Sequence, residues 1–109
     1  MTYSNNNLPH QILRLNTQWE NTDKGVIATN LERYIKEKYP DECQSCDDRM
    51  RKLMFITNSK KQTVYSWLNR SRTNVKIPFL KLCVIADYLN MDIESFLQNN
   101  VEIADEYSQ

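Results

Sequence analysis

Leu8, Ile12, Leu15 and Trp19 recur at i, i+4, i+7 and i+11, the spacing that gathers apolar side chains on one helix face. Pro9 suits the first turn of such a helix, although the tract QILRLNTQW also reads as a strand. Asn21 to Gly25 reads as a joint. From Thr29 the pattern is helical again. Thr29 and Glu32 have the spacing of a capping box, Leu31, Tyr34 and Ile35 with Tyr39 form the buried side, and Pro40 ends the run. After a Pro40–Gln44 loop, Ser45 and Asp48 offer a second N-cap, and Asp47 and Asp48 lie where a helix dipole favours anions. Met50, Leu53, Met54 and Thr57 then face inward. Phe55 and Ile56 widen the apolar surface beyond one face, and the segment 8–19 is their expected cover.

Asn58 tolerates the left-handed conformation that closes many helices, and Ser59 is a suitable cap for the next one. The gap between these two helices is therefore very short, and they must cross at a large angle to bury their faces together. In SKKQTVYSWLNRSR, residues 59–72, Val64, Trp67 and Leu68 share one helix face, while Gln62, Tyr65, Ser66 and Asn69 fall on the other. A polar loop runs over residues 70–76. Pro78 opens a further helix with Phe79, Leu82, Cys83, Ile85, Ala86 and Leu89 inside and Asn90 as its stop. Asp92 caps a short last helix carrying Ile93, Phe96 and Leu97. One glycine and three prolines in 109 residues argue for helices with short joints rather than a turn-rich β architecture. The expected fold is an all-α, five-helix domain over residues 28–98. It is preceded by an N-terminal extension, 1–27, whose first seven residues are polar and expected to be disordered. An acidic tail, 99–109, follows and is expected to fray.

Charge changes the picture more than composition does. The net charge is zero, but residues 49–81 hold nine Lys/Arg and no Asp or Glu, against a net of −3 before them and −6 after. A block of that kind is the electrostatic footprint of a surface that meets a polyanion. A hydrogen-bonding stripe free of acids, with Lys60 and Lys61 at its start and Arg70 and Arg72 past its end, suits the major groove of duplex DNA, where two rows of phosphates border the base edges.

Other chemistry is sparse. Cys43 and Cys46 form a C-x-x-C, half of a zinc site or a redox pair, but only His10 and Cys83 remain as further ligands, and the expectation is thiols without a metal. Tyr34 and Tyr88 sit at helical positions suited to core edges. No catalytic constellation or phosphate-cradling glycine loop is visible, so neither an enzyme nor a cofactor is expected. No apolar run approaches the ~18 residues of a membrane span, the start MTYSNNNLPHQ lacks the layout of a signal peptide, and the odd cysteine count suits a reducing compartment; a cytosolic protein is expected.

The third predicted helix resembles the recognition helix of the Cro and phage-repressor family, the XRE-type helix-turn-helix proteins. Lys61-Gln62-Thr63-Val64-Tyr65-Ser66-Trp67 matches its K-Q-T-[IV]-x-x-W form, and Leu82, Ile85, Ala86, Leu89 and Met91 fall on its closing L-x-x-I-A-x-x-L-x-V segment, followed by Asp92 to Leu97. The resemblance covers residues 28–98. Met54 and Asn58 stand where the family has a small Ala and a turn Gly; Met54 is expected to push the two helices apart or repack their crossing, and the loops at 40–45 and after Trp67 are long. By this resemblance Lys61, Gln62, Tyr65 and Ser66 would reach bases or the groove, Thr63 would cap, pack or touch phosphate, and Asn69 and Arg70 would meet the backbone. Lys60, Arg72 and Lys76 join the set on charge. The implied function is a sequence-specific duplex-DNA-binding transcriptional regulator, a repressor acting by operator occupancy as a homodimer, with the N-terminal segment or the last helix as the dimer surface. The alternative is a protein-binding helix-turn-helix module, such as an antitoxin or an inhibitor of a nucleic-acid enzyme.

Overall fold

The computed structural model describes residues 8–69 and 75–99. Its helices are α1 (Leu8–Glu20), α2 (Lys24–Lys38), α3 (Cys46–Thr57), α4 (Lys61–Leu68), α5 (Phe79–Tyr88) and α6 (Glu94–Leu97), with no strand among the described residues. The expected all-α architecture is present, and the strand option for QILRLNTQW falls, since that tract lies within α1. The expectations for residues 1–7, for Arg70 to Asn74 and for the tail beyond Asn99 lie outside the described residues.

The spine is α2, which packs on α3, α4 and α6, while α3 also packs on α4 and α5. Leu31 and Ile35 of α2 meet Leu53, Val64, Leu82, Ile85 and Phe96 in a core from which water is excluded. The start of α2 corrects the sequence reading. Its N-cap is Asp23, in extended conformation at φ −63° and ψ 142°, so Thr29 and Glu32 lie inside the helix and Gly25 belongs to it. The i, i+3 spacing of a capping box also occurs within helices. The signal for the earlier start was Ile27 and Ala28, both buried, which carry the Leu31–Ile35 stripe back by a turn. Position 28, the expected domain start, is therefore mid-helix.

The ends of α3 and α5 close alike. Asn58 (φ 51°) and Asn90 (φ 56°) take the left-handed conformation. The next amide then reaches back across the last turn, Ser59 N–H to Met54 O at 3.1 Å and Met91 N–H to Ala86 O at 2.8 Å. At the start of α3, Ser45 Oγ accepts from Asp48 N–H at 3.0 Å, as expected. Ser59 does not cap α4: Lys60 holds that position, and Ser59 Oγ instead lies 2.9 Å from Thr57 Oγ1 and donates to Thr57 O. Nor does Asp92 stand directly before α6, whose flanking residue is Ile93. Met54 is accommodated half-buried at the core edge with α3 and α4 still packed together.

The expected cover for Phe55 is not α1. That helix lies against α6 and the segment before α5: Trp19 Nε1 donates to Ile77 O at 2.9 Å, its ring stands 6.2 Å from that of Phe79, and Arg14 reaches Glu94 at 3.2 Å. An indole needs a partner for its N–H when it packs, and the Ile77 carbonyl fixes where α1 docks. Ile56 packs at the core edge, but Phe55 is 73% exposed.

Trp67, 4% exposed, fills the junction of α4 with the core. Trp67→Ala should cost about 3–5 kcal/mol as a large-to-small core change, read as a lower denaturation midpoint in urea; unchanged stability would mean that the phase of α4 is reversed.

Candidate nucleic-acid interface

The candidate surface is built on α4, held to α3 by the Asn58–Lys60 turn. Lys81 secures this turn from α5, its Nζ donating to Thr57 O at 2.7 Å. That places a cation on the carbonyl end of α3, where the helix dipole favours it. Thr57 itself is buried, and its hydroxyl donates to Leu53 O at 2.7 Å. At the other end of α4, the buried Lys24 donates from Nζ to Asn69 O, and Asn69 N–H to Tyr65 O at 2.9 Å.

The division of α4 into two faces stands as expected. Val64, Trp67 and Leu68 are buried; Lys61, Gln62, Thr63 and Tyr65 are exposed; Ser66 and Asn69 are half-buried. Thr63 neither packs nor serves as the cap, because it is exposed and lies inside the helix. Ser66 Oγ donates to Thr63 O at 2.6 Å, so its oxygen is left to accept. The first turn of α4 carries no side-chain cap, and Lys60 and Lys61 stand exposed there. Unpaired N–H groups at a helix start, flanked by ammonium groups, favour an anion.

The basic block is less free than it is in sequence, because acids from outside the block fold back onto it. Arg49 lies 3.7 Å from Glu32, Arg51 lies 2.7 Å from Asp47, and Lys52 lies 2.7 Å from Glu42. Asp47 also stands 3.9 Å from Lys61. Lys76 is a correction to the expected set. Its Nζ donates to Trp19 O at 2.8 Å and Glu20 O at 3.2 Å and lies 4.8 Å from the Trp19 ring centroid, so it closes the C-terminus of α1. Burial holds its ammonium below the usual lysine range, partly offset by Asp23 and Glu20. Arg70 and Arg72 lie outside the described residues.

Sequence reasoning missed the carbonyl-seeking role of Lys24, Lys76 and Lys81, since nothing in spacing distinguishes a lysine that turns inward. It also missed a cleft of about 330 Å³ beside Tyr65, lined by Glu32, Cys46, Met50, Leu68 and Asn69. Cys46 Sγ there donates to Glu32 Oε1 at 3.4 Å. Cys43 lies in the loop between α2 and α3, yet it is a buried member of the core, where burial raises its pKa. Cys83 is half-buried and likewise raised by burial, and all three thiols are free. His10 is exposed, and among the described residues no group of three or more His, Cys, Asp or Glu converges as a metal site would require. None of the described helices is long and apolar enough to cross a membrane.

Compared with known protein families, with curated proteins and with solved structures, the chain gives no match.

Lys76→Met, which keeps the aliphatic stem over Trp19 and removes the ammonium, should lower stability by about 1–2 kcal/mol through the lost charged hydrogen bonds. The same variant should leave the salt dependence of any DNA binding unchanged; a salt slope reduced by about one would return Lys76 to the phosphate-contacting set.

Proposed function

We propose that the protein is a cytosolic, cofactor-free regulator of transcription of the XRE helix-turn-helix type. It binds duplex DNA sequence-specifically as a homodimer and represses by occupying an operator. The observation that carries this reading is the split of α4. Three apolar anchors pin it to the core, and a face bearing Lys61, Gln62 and Tyr65 looks outward from an uncapped, lysine-flanked start. Gln62 suits bidentate bonding to adenine and Lys61 suits guanine. Lys60, with Arg70 and Arg72 of the following loop, would hold the phosphates.

A second reading draws on the internal pairing of the basic block. Since Arg49, Arg51 and Lys52 are matched by acids and Asp47 approaches Lys61, the surface around α4 is of mixed charge. A mixed surface with a cleft beside Tyr65 fits a protein partner better than a polyanion. In that reading the chain is a protein-binding helix-turn-helix module, an antitoxin or an inhibitor of a nucleic-acid enzyme.

Binding to a sequence selected from a random duplex pool, set against binding to random duplex across a salt series, separates the two. Under the first reading, Gln62→Ala should cost about 1–3 kcal/mol on the selected site and much less on random DNA. Lys60→Ala should weaken both alike and reduce the salt slope by about one. Equal weakening of both duplexes by Gln62→Ala would remove that residue from base reading. No duplex binding at low salt would leave the protein-binding reading.

A further inference from the structure

An exposed apolar surface lies on α5 and the neighbouring α3. On α5, Leu80, Val84 and Tyr88 follow one another at i, i+4 and i+8 on the side opposite the buried Leu82, Ile85 and Ala86. Leu80 is 75%, Val84 46% and Tyr88 44% exposed. Phe55 of α3, 73% exposed, joins this stripe, its ring standing edge-on to Tyr88 with centroids 6.4 Å apart. The patch is thus continuous across two helices that pack on each other. The four side chains together expose on the order of 400–500 Å², within the roughly 300–600 Å² of the largest patch on a typical monomer, which is often a functional one.

We propose that this face is where two copies of the chain meet. The area is the first reason: a stable interface takes about 800 Å² from each partner, with a more apolar centre and a polar rim, and this patch is of the size of such a centre. Charge is the second. Arg51 lies one turn from Phe55 on the α3 side, and Asp87 lies beside Tyr88 on the α5 side. A twofold axis lays the α3 side of one copy on the α5 side of the other, so the base of each rim meets the acid of its mate. Arg51 also holds Asp47, one turn back, in an exposed pair that costs little to loosen. Glu42, Asp48 and Lys52 line the hollow at Phe55 together with Arg51, so the rim carries both signs and suits neither a polyanion nor a uniformly charged partner. With the chain's net charge at zero, nothing repels a second copy. This surface differs from the dimer surfaces expected from sequence, α1 and the last helix, and it does not depend on what α4 binds.

Sedimentation equilibrium of the full chain over a wide concentration range tests this. The expected result is a reversible dimer for the native chain. Val84→Glu and, separately, Leu80→Glu should raise its dissociation constant at least about tenfold, since each would place an unpaired carboxylate at an apolar centre. Both positions are exposed, so the helical circular dichroism of each monomeric variant should match the native chain. Phe55→Ser serves as a third, uncharged variant and should weaken the dimer in the same direction. Leu13→Glu, on the exposed side of α1, should leave it intact. A native chain that stays monomeric throughout overturns the proposal. So does a dimer that survives all three patch variants, or one that Leu13→Glu alone disrupts.

Discussion

An eight-residue helix does not hold its shape in water, because so few hydrogen bonds cannot repay the cost of the first turn. Everything proposed for α4 therefore depends on its docking. Val64, Trp67 and Leu68 supply the apolar side of that docking. The turn before α4 is fixed by Asn58 and by Lys81 on Thr57 O, and its exit is held by Lys24 on Asn69 O. The outward residues inherit their positions from those attachments. A loose α4 would present the same side chains with no defined spacing between them.

The attachments follow a pattern that reaches through the whole fold. Helix C-termini leave carbonyls without partners, and a glycine just past the end is the usual way to turn the chain back onto them. This chain has one glycine, and it lies within α2. Asparagine takes the place of glycine at the ends of α3 and α5, and long-range bonds supply further closure. Lys76 serves the end of α1, Lys81 the end of α3 and Lys24 the end of α4. At α6 the buried Asn30 donates from Nδ2 to Phe96 O at 2.8 Å and Gln98 O at 2.9 Å, while its Oδ1 accepts from Arg33. Each of these bonds to a helix end joins elements distant in sequence, so it closes a helix and fixes tertiary placement in one step. A short helix such as α6, four residues long, persists because Asn30 and the ring of Tyr34, edge-on to Phe96 at 5.3 Å, hold it.

How far the sequence could be read follows from the same physics. Periodicity reports which face of a helix is apolar, and it was sufficient for α3, α4 and α5, for both asparagine stops and for the two sides of α4, while for α1 it left a strand open. Local spacing cannot tell a capping box from the interior of a helix, which is why Thr29 misled and Asp23 was overlooked. Nor does spacing say where an apolar residue finds its cover. Phe55 was assigned to α1, but the indole of Trp19 took α1 to Ile77 instead. Within the candidate site, Gln62 and Tyr65 were legible as outward residues. The fate of Lys76 was not, because its partners are backbone carbonyls that carry no side-chain signature.

The largest gap between sequence and structure is electrostatic, and it bears on function. A stretch without acids in sequence is not a surface without acids, because Glu32, Glu42 and Asp47 return to it from earlier in the chain. Two further cations, Lys76 and Lys81, are spent on carbonyls. The cations of this stretch left to face a nucleic acid reduce to Lys60 and Lys61, together with whatever Arg70 and Arg72 add. Proteins that draw strongly on phosphate neutralisation make about 6–10 such contacts. One copy of this chain falls short of that even with both arginines counted, and two copies related by a twofold axis reach it only when Arg70 and Arg72 also meet phosphate. On the DNA-binding reading, pairing of two chains would then be a requirement for affinity as well as a source of palindromic specificity, and the face formed by Phe55, Leu80, Val84 and Tyr88 would bear on binding without touching DNA.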